Sequence, residues 1–204
     1  MIHVPVTLHN FVCIKMKEMI VYTTAQTNEE ILQILELQKN NLPQNLTEEQ
    51  INSQGFVTVI HSFDTLKKMN TIEQSIIAKD NDRIIGYLLA MTEKSKDDIP
   101  VLIPMFNAFE NTMYHHKKIS GYKYIIVGQV CIAKDWRGQG ILDNCYTEYK
   151  KHFMSKYDFA ITEINDKNKR SINAHKRIGF DTIRRYRDPK GDEWKIVLWD
   201  WRNG

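Results

Sequence analysis

Arg137-Gly138-Gln139-Gly140-Ile141-Leu142 stands between a near-continuous apolar run and a stretch with helical periodicity. Two glycines so placed let the backbone turn sharply with its N–H groups exposed. The start of the following helix adds partial positive charge, and the combination suits a pyrophosphate. A tight turn that needs glycine for shape alone is the other reading of the same letters. Further on, Asn168 opens the segment NKRSINAHKRIGF. At 100° per residue, Asn168, Ser171 and His175 fall on one side of a helix, so an amide, a hydroxyl and an imidazole share a face. A polar face of this kind ordinarily meets solvent.

Other reactive side chains point to less. His115 and His116 are adjacent, so they point in different directions, and no third ligand stands at a useful spacing; no metal is expected. Arg184, Arg185 and Arg187 suit a charged, solvated edge strand better than an acidic ligand. Trp136, Trp194, Trp199 and Trp201 read as core and hairpin packing rather than a base-stacking platform. Cys13, Cys131 and Cys145 are odd in number and widely spaced, which suggests reduced thiols in a cytoplasm rather than a disulfide framework.

The elements that must position these residues alternate along the chain. Met19 to Ala25 is rich in β-formers, and Thr27-Asn28-Glu29-Glu30 is a capping box opening a helix marked by Ile31, Leu35 and Leu42. Thr47-Glu48-Glu49-Gln50 offers a second box. The stretch through Phe56 and Leu66 is expected to hold another helix or two. SIIAK, Asp80-Asn81-Asp82 and RIIGYLLAM read as an antiparallel hairpin. Residues 93–122 look like an irregular, partly helical insertion. Tyr124 to Ala133 suits a central strand buried on both faces. Ile141, Cys145, Tyr149 and Phe153 then recur every fourth position along a helix. Phe159 to Ile164 is a strand, Lys169 to Ile178 a short helix stopped by Gly179, and DTIRRYR with EWKIVLWDW a hairpin around Asp188–Asp192. The result is an α/β sandwich of mixed strand direction.

A chain of 204 residues supports one sizeable core, with 42% hydrophobic and 26% charged residues in the ordinary globular range. Residues 1–18 are expected to be an extension, Met16 and Met19 being alternative starts, and residues 19–204 one domain. The N-terminus lacks the pattern of a secretion signal, and no apolar run reaches membrane-spanning length. The excess of basic over acidic residues, 28 − 25 = 3, is too small to imply polyanion binding through bulk charge. A single RGQG within a globular pattern is no RNA-binding element.

The two segments together, in this order and spacing, resemble the acyl-CoA site of the GNAT acetyltransferases. The family's loop pattern Q/R-x-x-G-x-G/A becomes Arg137, Gly140 and Leu142. Its later pattern N-x-x-A-x-x-x-Y-x-x-x-G-F becomes Asn168, Ser171, His175, Gly179 and Phe180. The resemblance implies a GNAT-type mixed, mostly antiparallel central sheet flanked by helices. It also implies an N-acetyltransferase that moves an acetyl group from acetyl-CoA to an amine. The strand backbone around Val130 and Ile132 would pair with the pantetheine arm as an added β-strand. Amides of Gly138, Gln139, Gly140, Ile141 and Leu142 would hold the pyrophosphate, with Arg137 at the mouth of the turn. Asn168 would bond the pantetheine or thioester region, with Ser171 beside it. Leu142 stands where the family prefers Gly or Ala, so either its side chain turns into the core or the cofactor sits farther out.

In the implied reaction a neutral amine attacks the thioester, a tetrahedral oxyanion forms, and collapse expels a thiolate whose conjugate acid has a pKa of about 8.5. His175 occupies the position of a tyrosine that many family members use to protonate this thiolate. A histidine near 6.5 is charged in only about a quarter of molecules at neutral pH, so it would donate with a different pH dependence, or bond the sulfur, or simply pack. The amine arrives as an ammonium ion and needs a base. Strand order brings Glu163 and Gln129 toward the cleft, and only Glu163 can be that base. A non-catalytic acyl-CoA sensor, or an enzyme using a longer acyl-CoA, are the competing readings. The acceptor, a small-molecule or protein amine, would be chosen by loops at 45–70 and 97–121, which carry no signature. Neither nucleic acid nor membrane is expected as a partner, and the chain would be a monomer or homodimer.

Overall fold

The computed structural model describes residues 20–45, 47–49 and 57–202. The expected extension at 1–18, Phe56, and Gln50 of the second capping box lie outside them. Strand β1 (Val21–Thr24) leads into α1 (Asn28–Lys39), which begins with the expected box: Thr27 Oγ1 accepts from Glu30 N, and Glu30 Oε2 accepts from Thr27 N, both at 3.1 Å. Helix α2 (Phe63–Ile72) carries Leu66 inward and is capped by Ser62. The hairpin of β2 (Ile76–Asp80) and β3 (Arg83–Met91) turns through Asn81, whose φ of 52° suits an asparagine. The insertion forms short 3-10 turns, α3 (Ile103–Glu110) and a two-residue hairpin of β4 (Met113–Tyr114) and β5 (Lys117–Lys118). Then come β6 (Tyr124–Ile132), α4 (Ile141–Phe153), β7 (Phe159–Asn165), α5 (Lys169–Ile178), β8 (Asp181–Arg187) and β9 (Glu193–Asp200).

Seven strands form one sheet in the order β1-β2-β3-β6-β7-β9-β8. Every neighbouring pair is antiparallel except β6 and β7, which α4 joins by a crossover. Helices α1, α2 and α3 cover one face of the sheet and α4 with α5 the other, each with its own apolar cluster. Strand β6 serves both: Tyr124 and Ile126 enter the first cluster, Ile125 and Val127 the second. That is why its sequence is apolar without alternation. The spacing of Ile141, Cys145, Tyr149 and Phe153 buries all four against the sheet. Burial of such side chains contributes about 1.5–3 kcal/mol for each large one.

Two departures from regular pairing open the sheet near its centre. The register between β3 and β6 shifts at Leu89/Ala90, opposite Gln129 and Val127, so Gly128 bulges out of the ladder. Strands β6 and β7 pair only from Tyr124–Ile126 against Phe159–Ile161. Beyond that point β7 continues along β9, and the two parallel strands part. Among the described residues no helix is long and apolar enough to cross a membrane, and no group of residues is arranged to hold a metal ion.

Candidate active site

A cleft of about 750 Å³ lies over the C-terminal end of β6, between the turn at 136–143 and α5. Gly138 and Gly140 adopt φ of 77° and 78°, with open space where a Cβ would stand. Their requirement for glycine is therefore one of backbone conformation, and the conformation leaves donors bare. None of the amides from Gly138 to Asp143 donates a hydrogen bond within the described residues, since the first bond of α4 runs from Asn144 N to Gly140 O. Gly138, Gly140, Ile141 and Leu142 line the cleft. Gln139 is exposed and turns its side-chain amide back to Asp135 O at 2.8 Å. Leu142 is half-buried: it packs against the α4–α5 cluster and also lines the cleft.

Arg137 reaches the cleft but folds back to brace it. Its Nε donates to Ile132 O at 2.9 Å, and its Nη2 to Asn41 Oδ1 at 2.5 Å, tying the end of β6 to the loop after α1. Arg170 and Arg177 on α5 bring two further guanidinium groups to the lining. Arg177 also grips Asp143 in the first turn of α4 through Nε at 3.1 Å and Nη2 at 2.9 Å. Val130 and Ile132 line the same cavity from the strand.

A second, smaller cavity of about 90 Å³ fills the gap where β6 and β7 part. Val130, Asn168, Ser171 and His175 line both cavities, so they stand at the junction. Asn168 caps α5, accepting from Ser171 N at 3.2 Å. Gln129 borders the smaller cavity but is locked in place: its Oε1 accepts from Tyr87 O–H at 2.6 Å and from Gln38 Nε2 at 2.7 Å, and its Nε2 donates to Val59 O at 2.8 Å. Glu163 lies on β7 across the gap. Burial lifts its carboxyl to about 7; the O–H donated by Tyr186 works against the rise and the nearby Asp188 carboxylate adds to it.

His175 is 4% exposed and fully engaged. A carbonyl can only accept, so the 2.8 Å contact with Ser171 O places the ring proton on Nδ1. Nε2 is then an acceptor, and Tyr146 donates its O–H to it at 2.6 Å. Burial pushes the imidazole down to about 4, so it is neutral at pH 7. In this arrangement no ring proton points at the cleft. The ring thus links Ser171, in the first turn of α5, to Tyr146 on α4.

The structure therefore brings together the residues singled out in the turn, apart from the exposed Gln139, with those on the end of β6 and on α5, and places Glu163 on the far side of the gap. It adds Asn41, Arg170, Arg177, Tyr146 and Tyr186. Arg170 and Arg177, seven residues apart, share a face of α5 with each other, and that spacing could have singled them out. Asn41, Tyr146 and Tyr186 carry no local signal, because each meets its partner in the site across at least 23 positions.

The sequence model of the acetyltransferase (GNAT) family matches residues 33–180. No curated protein matches the chain. Among solved structures, a GNAT-family acetyltransferase from Streptococcus agalactiae superposes with a TM-score of 0.60 at 12% identity, covering 89% of this chain and 95% of its own. The NatC complex bound to Gag peptide and CoA gives 0.59 at 15% identity, covering 89% and 98%. The YncA protein of Salmonella typhimurium with its cofactor acetyl-CoA gives 0.56 at 10% identity, covering 89% and 93%. At these identities the likeness is one of fold.

Proposed function

The chain belongs to the GNAT acetyltransferase family, and on that premise we propose that residues 19–204 form one domain that transfers an acetyl group from acetyl-CoA to an amine acceptor by direct attack. The observation that carries the reading is the row of amides from Gly138 to Asp143 that donate to no described residue, opening into a cleft that runs to a gap in the sheet. The occupied structures of NatC and YncA, which hold CoA and acetyl-CoA, support the choice of ligand.

In this reading the amides of Gly138 to Leu142 bind the pyrophosphate, assisted by the positive end of α4. Arg170 and Arg177 add charge at the mouth. The main chain at Val130 and Ile132 aligns the pantetheine arm as an extra strand. Asn168 and Ser171 sit where the two cavities meet and orient the thioester. Acetyl-CoA supplies an activated acyl group whose thiolate leaves without prior protonation, its conjugate acid having a pKa of about 8.5. His175 acts as a positioning residue. Glu163, poised near neutrality, removes the proton from the incoming ammonium. The buried thiols of Cys131 and Cys145 suit a reducing compartment such as the cytoplasm.

The test is release of free thiol from acetyl-CoA in the presence of an alkyl monoamine, a diamine, lysine and peptides with free N-termini. Turnover with at least one amine, and an acetylated product by mass, is the expected result. Binding of CoA with no turnover on any of them would make the chain a sensor and not an enzyme.

A further inference from the structure

Tyr186 stands on β8, the edge strand of the sheet, and its O–H donates to Glu163 Oε2 two strands away. Register explains the reach. Tyr186 pairs with Trp194, Trp194 pairs with Asn165, and Glu163 lies two residues before Asn165, so all four side chains share one face. With Oε2 occupied, Glu163 Oε1 accepts no hydrogen bond from the described residues, and the carboxyl lines the gap between β6 and β7. The groups around it are few. Asp188 lies in the turn after β8, held by Trp194 Nε1 at 3.1 Å; Arg184 stands on β8 beside Tyr186; Ile196 faces it from β9; the locked Gln129 faces it from β6, and the neutral His175 from α5.

We infer that Tyr186 is a positioning residue for acetyl transfer: by binding one oxygen of Glu163 it fixes the carboxylate and leaves the other oxygen to face the acceptor amine. The inference rests on the reading of Glu163 as the base. In the step concerned, one proton moves from the ammonium nitrogen to Glu163 Oε1. The ammonium becomes a neutral amine with a free lone pair and the carboxylate becomes a carboxyl, with no oxidant or further reactant. The phenol keeps its own proton throughout, because burial and the neighbouring carboxylate hold its pKa far above neutral.

A hydrogen bond to the charged form stabilises that form, so its loss must raise the carboxyl's pKa. The experiment is a carbon-13 titration of the Glu163 carboxyl in the whole chain, without ligand, in wild type and in Tyr186→Phe. The expected shift is upward by at least about 0.5 pH unit. The acid limb of kcat/KM, measured with whichever of the four amine classes reacts fastest, should move by the same amount, while the Kd for acetyl-CoA stays within about twofold. Incorporating 3-fluorotyrosine at 186, a stronger donor in the same volume, should move both downward and covers the case in which Tyr186→Phe does not fold. An unchanged Glu163 titration, or a rate loss uniform across pH, would overturn the inference. Absence of any CoA binding or turnover by the wild type would instead remove the transferase reading and leave the titration result standing.

Discussion

Glu163 and His175 are both buried ionisable groups, and burial acts on them in opposite senses because it penalises whichever form is charged. The carboxyl rises to about 7 and the imidazole falls to about 4, so both are uncharged over part of the neutral range. As the proposed base, Glu163 works only when deprotonated, so activity should climb as pH passes upward through about 7 and vanish below it. Glu163→Gln should lower kcat by about 10²-fold and abolish that limb. A variant that keeps the limb would show that another group titrates. For His175 the engaged nitrogens predict a different signature. His175→Ala should cost about 2–4 kcal/mol in urea unfolding by leaving a cavity and an unpaired Tyr146 hydroxyl, yet reduce kcat of the folded protein less than about tenfold. A loss of about 10²-fold with folding intact would make it the proton donor.

At the scale of elements, the features legible in the chain are those encoded locally. The capping box at Thr27 and Glu30, the hairpin turning at Asn81 and the end of α5 at Gly179 all depend on residues within one turn of each other. The turn at Gly138–Gly140 is legible for the same reason. Its glycines hold positive φ, and Gly140→Val should weaken acetyl-CoA binding at least tenfold in calorimetry, by straining the turn and re-aiming its amides. An affinity within threefold of wild type would mean that the amides do not bind the ligand. Contacts set by register and packing leave no such trace. Asn41 meets Arg137 across 96 positions, and Tyr146 reaches His175 only because α4 and α5 lie side by side on one face. The contact that engages His175 escapes sequence reasoning on this account. The histidine's place on the helix face is legible, but the partner that occupies its Nε2 belongs to another helix.

For the molecule as a whole, two buried histidines couple stability to pH. His61 and His175 are each held down to about 4 by burial, against about 6.5 in an unfolded chain. Below pH 6.5 the unfolded state therefore takes up protons that the folded state refuses. Their contribution is fully present above pH 6.5 and is lost progressively as pH falls toward 4, by about 2 kcal/mol each at pH 5. Urea unfolding of a His61→Asn/His175→Asn double variant should show a flatter decline between pH 7 and 5 than wild type. Equal slopes would show that the carboxylates alone set the acid limit.

The proposed acetyl transfer depends above all on the amides after β6 receiving the pyrophosphate of CoA. An amide NMR titration of the uniformly nitrogen-15-labelled chain with CoA tests this residue by residue. The largest shifts should fall on Gly138 through Asp143 and saturate together well below millimolar CoA. No saturable shift at millimolar CoA, or saturable shifts that leave those six amides in place, would contradict it.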